Sequence, residues 1–250
     1  MADVTPLLAY PDDCFEAHFV QRVKRFSVEV RSGQQSFWIH SNNSGSMLGL
    51  TRKDQVVLVS KAKNPKRKLP YTQEAVFFKP SAFDRGFWVG VNTAVPLKLL
   101  ALAHSQGLLD FVREYPEMRQ EQKYGASRLD ALFFGKDGAK LYVECKNVTL
   151  VEDACAMFPD AKSERAQKHL QTLMEIVARG GQAAMFYLVE RPDAQCFGPC
   201  AVIDSAYAKL FYEAIACGVQ IEVYQADITR AGISLGAKLP LARRQAIIGP

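Results

Sequence analysis

The chain has 250 residues, 48% of them hydrophobic and 23% charged, with a formal net charge of +5. That balance fits one large or two modest folded domains and excludes a disordered chain. No run approaches the ~18 apolar residues of a membrane-spanning helix, and residues 1–6 lack the basic start and apolar core of a signal peptide.

Residues 13–88 read as many short strands. Segments 14–20, 25–30, 37–40, 55–59 and 75–78 are strand-like and separated by polar breaks, which predicts a small antiparallel barrel or sandwich. Basic side chains gather here. Arg22, Lys24 and Arg25 precede a strand, and Lys61, Lys63, Lys66, Arg67 and Lys68 surround an Asn64-Pro65 turn. A charge run is ordinarily a solvated loop. On a barrel, with Phe37, Trp38 and Tyr71 near it, the same run also suits contact with nucleic-acid phosphates. The polar stretch 41–47 reads as a turn between strands.

Residues 96–107 predict a helix ended by Gly107, and 108–112 are ambiguous. Glu114, Glu117 and Glu121 read as solvated surface. Two apolar runs within 127–146 then flank a Lys136-Asp137-Gly138 turn, a hairpin signal. Asp130 lies on the first run. Glu144 and Lys146 lie on the second, two residues apart and so on one strand face, with Cys145 on the other. Two carboxylates on paired strands can hold a divalent cation through oxygen. An adjacent lysine can orient a water or stabilise charge on a phosphate. This is the Asp…Glu-x-Lys arrangement of metal-dependent phosphodiesterases. Taken alone the spacing is common, and solvated charge on an exposed strand is its usual explanation.

Asp160 or Ser163 can cap a following helix whose apolar stripe is Ala166, Leu170, Leu173, Met174 and Val177, with Glu164, Lys168 and Gln171 on its polar side. Residues 183–189 predict a strand apolar on both faces, 191–199 a loop, 205–217 a helix capped by Asp204, and 219–224 a last strand. The order hairpin, helix, strand, helix, strand implies a mixed sheet with helices on its faces. The six cysteines are scattered. Cys196 and Cys200 have no second pair to complete a zinc site, so reduced thiols of a cytoplasmic protein are expected.

The chain resembles the sugar fermentation stimulation protein family, SfsA, over nearly its whole length. The residues that carry the resemblance are Arg22…Arg25-Phe26, His40 with Asn43-Ser44-Gly45-Ser46-Met47, and Asn64-Pro65-Lys66-Arg67-Lys68. They continue through Val91-Asn92-Thr93, Ser127-Arg128-Leu129-Asp130, residues 144–150 and Phe158-Pro159-Asp160-Ala161…Glu164-Arg165…Lys168-His169. Asp204 and Gly218-Val219 also match. The resemblance implies an N-terminal OB-like barrel and a C-terminal restriction-endonuclease-like domain of the PD-(D/E)xK type. It also implies sequence-independent DNA binding, a nuclease assignment and a link to the regulation of sugar, particularly maltose, metabolism. Asp130, Glu144 and Lys146 carry over as the nuclease triad. Asp160, Glu164, Arg165 and Lys168 carry over as block residues without individual roles.

The resulting expectation is an α+β protein: a barrel at 13–88, a nuclease-like domain at 89–236 and a tail at 237–250. Arg22, Arg25, Lys66, Arg67 and Lys68 would grip DNA or RNA backbone. Asp130 and Glu144 would ligate Mg2+ or Mn2+, with Lys146 positioning water or stabilising the transition state. Glu164 or Asp160 is the candidate for the metal's outer shell, and Lys168 or Arg165 for the scissile phosphate. The alternative is a catalytically silent DNA-binding regulator.

Overall fold

The computed structural model describes residues 5–81 and 85–243. After a short strand β1 (Leu8–Ala9), the first domain is built from β2 (Phe15–Val23), β3 (Ser27–Ser32), β4 (Gln35–His40), β5 (Val56–Lys61), β6 (Tyr71–Phe78) and β7 (Phe87–Gly90). The strands pair in the order β4-β3-β2-β5-β6-β7. A parallel bridge between His40 and Thr72 joins β4 to β6 and closes a five-stranded barrel. Alternation drives the closure. Phe19, Val28, Val30 and Ile39 point inward to one core between more exposed neighbours, and Val57 and Val76 join that core from strands buried on both faces. The tight β3–β4 connection needs a left-handed residue, which Gly33 supplies at φ 59°.

The second domain follows with α1 (Val95–Ser105), a 3-10 turn (Asp110–Val112), β8 (Glu117–Tyr124), β9 (Ser127–Phe134), β10 (Lys140–Val148), β11 (Leu150–Glu152) and β12 (Cys155–Phe158). It continues with α2 (Glu164–Ala178), β13 (Gln182–Val189), β14 (Cys196–Pro199), α3 (Ser205–Ala216), β15 (Gln220–Ile228) and β16 (Gly232–Lys238). Its main sheet has the order β1-β16-β15-β13-β10-β9-β8, with β10, β13 and β15 mutually parallel. Leu99 and Leu100 of α1 pack with Val143, Cys145 and Phe186 on one face. Leu170 and Leu173 of α2 and Phe211 of α3 pack with Met185 and Tyr187 on the other. Strand β13 is covered from both sides, which is why it reads as a continuous apolar run.

The fold agrees with the predicted OB-like barrel and mixed helix-flanked sheet. Several details differ, among them strand β8, where the sequence suggested only solvated surface. Residues 150–158 form a hairpin, and β14, predicted as loop, joins it in a second small sheet. Strand β16 follows the predicted last strand. Residues 237–238 of the predicted tail belong to β16, and Phe197 exchanges backbone hydrogen bonds with Pro240 and Ala242. Residues 244–250 of that tail lie outside the described residues. Finally, β1 precedes the barrel in sequence yet pairs with β16, so the N-terminal segment binds the second domain. No helix among the described residues is long and apolar enough to cross a membrane.

The two domains meet at defined points. The Gly90 amide donates to the Glu190 carbonyl at 3.1 Å. A Cβ on Gly90 would fall 1.5 Å from Glu190 Oε2, so glycine is required for this approach.

Candidate active site

The predicted hairpin is present, with Gly138 in its turn at φ 76°. Pairing of β10 with β9 ends at Val143 and Ala131. Just beyond that point the strands separate, and the Asp130 carboxylate takes the place of a backbone acceptor: its Oδ2 receives the Cys145 amide at 2.8 Å. The side chain of Asp130 is thereby held beside β10 at the level of Glu144. Strand β10 alternates as its sequence dictates. Val143 and Cys145 enter the core under α1, and Glu144 and Lys146 turn toward α2.

Glu144 is only 2% exposed. Its Oε1 accepts from Lys146 Nζ at 2.5 Å and from His169 Nδ1, and Lys146 Nζ lies 3.2 Å from the same imidazole nitrogen. A carboxylate only accepts, so His169 Nδ1 is the donor. Burial alone would raise the Glu144 carboxyl; the Lys146 ammonium and the His169 hydrogen bond outweigh it and hold the group below its ordinary value. Burial, and then the nearby charge of Glu144, push the Asp130 carboxyl up. The second oxygen of Glu144 is buried without a hydrogen-bond partner. Behind Glu144 stand two buried phenols, Tyr187 and Tyr207, whose hydroxyls bond each other at 2.5 Å. Ser127 Oγ and Thr172 Oγ1, 2.9 Å apart, fasten β9 to α2.

The arrangement therefore offers two neighbouring carboxylates, with the charge of Glu144 raising the cost of ionising Asp130, one orphaned buried oxygen and one ammonium. A divalent cation would relieve both the repulsion and the orphan. No group of three His, Cys, Asp or Glu side chains suited to a metal occurs among the described residues. Two carboxylates with water and substrate oxygens completing the shell is the donor pattern of Mg2+ or Mn2+, so the residues present fit such an ion.

Family models match the chain in two stretches: an "SfsA N-terminal OB domain" over residues 20–91 and a "Sugar fermentation stimulation protein RE domain" over residues 94–232. The chain belongs to the SfsA family. It is 48% identical to a sugar fermentation stimulation protein homolog of Maridesulfovibrio salexigens over 239 residues, covering 95% of this chain and 98% of that protein. A homolog from Syntrophobacter fumaroxidans is 46% identical over 233 residues, covering 93% and 87%. Among solved structures, that of Pyrococcus furiosus SfsA in complex with Ca2+ superposes with a TM-score of 0.87 at 24% identity, over 96% of this chain and all of that one.

Other predicted residues of this SfsA chain have different surroundings from those expected. Asp160 Oδ2 accepts the Met47 amide at 2.9 Å, and the Asp160 carbonyl accepts from the Ser46 hydroxyl. Its partners thus lie in the barrel loop at 41–47. Glu164, Arg165 and Lys168 are exposed on α2, the first two about one turn before His169 and Lys168 next to it. Arg22 is half-buried and donates to the carbonyls of Arg25, Asn43 and Gly45. Its guanidinium organises the loop. Arg67 likewise folds onto the Leu69 and Tyr71 carbonyls. Arg25, Lys66 and Lys68 are exposed.

His169 is the site residue that sequence reasoning missed. It falls on the buried stripe with Ala166, Leu170 and Leu173. A histidine on an otherwise apolar helical stripe, in the first helix after a Glu-x-Lys strand, was the available signal.

Proposed function

We propose that this chain is a divalent-metal-dependent nuclease that grips nucleic acid through its backbone phosphates without reading sequence. The observation that carries the reading is the meeting of Asp130, Glu144 and Lys146, with a buried Glu144 oxygen that lacks any partner. Asp130 and Glu144 would hold Mg2+ or Mn2+. Such an ion, when bound, supplies Lewis acidity toward a phosphoryl oxygen and lowers the pKa of water. Lys146 holds its ammonium at the carboxylate pair, where it can orient an attacking water or meet charge on the phosphate. His169 fixes the Glu144 rotamer through Oε1. Arg25, Lys66 and Lys68 supply exposed positive charge on the barrel, suited to a tracked DNA or RNA backbone. The Pyrococcus furiosus relative, solved in complex with Ca2+, agrees with an oxygen-ligated cation in this fold. Six free cysteines suit the reducing cytoplasm.

The test is cleavage of labelled single- and double-stranded DNA and RNA, with Mg2+, Mn2+ or chelator, by wild type, Asp130→Ala and Lys146→Ala. Metal-dependent cutting lost in both variants is expected. A second reading, a DNA-binding regulator without catalysis, draws on the engagement of both Lys146 and His169 with one Glu144 oxygen. Salt-sensitive DNA binding by all three proteins with no cutting under any condition would decide for it.

A further inference from the structure

A cleft of ≈ 430 Å³ lies between the barrel and the second domain, lined by parts of both. Its volume falls within the roughly 300–1,000 Å³ of small-molecule sites. The N-terminal segment contributes Leu8 and Tyr10, the barrel contributes His40, Lys61 and Glu74, and the start of α1 contributes Val95 and Lys98. None of these is a residue of the Asp130 and Glu144 centre.

The lining is divided by charge. Lys61, Lys63 and Lys98 are exposed, so the cleft's mouth is cationic. Glu74, 9% exposed, accepts from Ser60 Oγ at 2.5 Å and from Asn92 Nδ2 at 2.7 Å, and Asn42 Nδ2 donates to Asn92 Oδ1 at 2.5 Å. The floor is therefore a buried carboxylate and amide network. Beside it the buried Tyr10 hydroxyl has no hydrogen-bond partner. Leu8 and Val95 give an apolar wall. A simple anion is repelled by Glu74 at depth, and a simple cation by three lysines at the mouth. A ligand that satisfies both ends is anionic outside and carries neutral hydrogen-bond donors on a flat body inside.

The surface next to the cleft narrows the class. His40 lines the cleft and stacks on the exposed Phe26, with ring centroids 6.0 Å apart and planes at 23°. Trp38, two residues earlier on β4 and so on the same strand face, is 37% exposed. Aromatic rings leading out of a cationic cleft are a platform for stacked bases. We propose that this cleft binds one nucleoside monophosphate unit, with its phosphate at Lys61, Lys63 and Lys98 and its sugar or base edge over Glu74. The unit is either the end of a strand or a free nucleotide. The ligand class rests on the nucleic-acid reading above, while the residues are separate from the proposed catalytic ones.

The test uses the full chain carrying Asp130→Ala, without added metal, so that binding alone is read. AMP, dAMP, inorganic phosphate and glucose 6-phosphate are titrated by calorimetry. Single-stranded oligonucleotides with 2-aminopurine at a terminal or an internal position are titrated by fluorescence. The same titrations are run with Lys61→Ala/Lys98→Ala added, two exposed positions whose thermal midpoint checks the fold. Binding of AMP or dAMP, or a fluorescence change confined to terminal 2-aminopurine, is expected, weakened at least tenfold by the double lysine substitution. The first result assigns a free nucleotide and the second a strand end. Neither signal, equal affinity for inorganic phosphate or glucose 6-phosphate, or binding unchanged by the lysine substitutions would overturn the proposal. Absence of cleavage by the wild-type protein would bear on the nuclease reading alone.

Discussion

The Asp160 carboxylate occupies the space that a side chain on Gly45 would need. A Cβ at Gly45 would lie 2.3 Å from Asp160 Oδ1 and 2.5 Å from Oδ2. The same carboxylate accepts the Met47 amide, while Arg22 holds the Asn43 and Gly45 carbonyls from the barrel side. The turn at 41–47 is thus pinned between the two domains, 113 residues apart in sequence at the Met47 contact.

Gly45→Ala should therefore act across the domain boundary. The added methyl must displace Asp160, because the loop is fixed from its other side. Asp160→Ala removes the same hydrogen bond without the clash and should cost about 1–3 kcal/mol, the range for an orphaned buried donor. Urea unfolding of the full chain reads both. Two wild-type-like midpoints would show that the loop bears no load.

Arg22 and the Lys66/Lys68 pair should separate stability from binding. Arg22→Ala strips donors from three carbonyls and should lower the unfolding midpoint. Lys66→Ala/Lys68→Ala leaves two exposed positions and should keep the midpoint. It should reduce the slope of log affinity against log salt by about 2, one for each phosphate that is no longer neutralised. A thermal melt and a salt titration with random-sequence DNA measure the two effects. An unchanged salt slope in the double variant would place the backbone contacts elsewhere.

The sequence made the barrel, the mixed sheet and the Glu-x-Lys strand legible because each rests on a local period. Apolar alternation marks β3 and β10, and the apolar run marks β13. It left β12 and β14 unread, since four residues are too few to show a period and β14 also carries glycine and proline. Ser163 and Asp204 were legible as caps, and both accept the expected amides of Ala166 and Tyr207. The backbone contacts of Arg22 and Asp160 were not legible, for one reason. Their partners are backbone groups of a loop, and residue type reveals charge but not whether a carbonyl or amide awaits it. His169 was hidden by the tertiary step that lays α2 over β10.

Glu190 should give the protein a pH-dependent stability of a definite sign. It is fully buried, and neither carboxylate oxygen has a partner. Burial, and then the charge of Glu74, raise it well above its ordinary 4.5; the Tyr10 phenol is the other titratable group coupled to it. The folded chain therefore keeps a proton that the unfolded chain releases. That contribution is complete below pH 4.5 and is lost as pH rises toward the folded value, by at most about 1.4 kcal/mol per pH unit. Glu190→Gln abolishes the titration. Near pH 4 the offset between variant and wild type should be constant, and above it the variant should gain on wild type steadily. Parallel curves from pH 4.5 to 8 would mean that Glu190 holds no such proton.

His169→Ala should weaken cleavage through Glu144 and not through the fold alone. The imidazole and the Lys146 ammonium share one carboxylate oxygen, so its loss frees the Glu144 rotamer and lets Lys146 follow. Groups that orient a metal-binding carboxylate typically matter about 10–100-fold in metal affinity or activity. A Mg2+ or Mn2+ titration of cleavage separates the roles. A higher metal requirement, with partial recovery at high concentration, is expected if His169 positions Glu144. A lower unfolding midpoint with an unchanged metal requirement would make His169 a core residue that merely happens to touch the site. His169→Asn retains a donor on a shorter side chain and should recover part of the activity in the first case only.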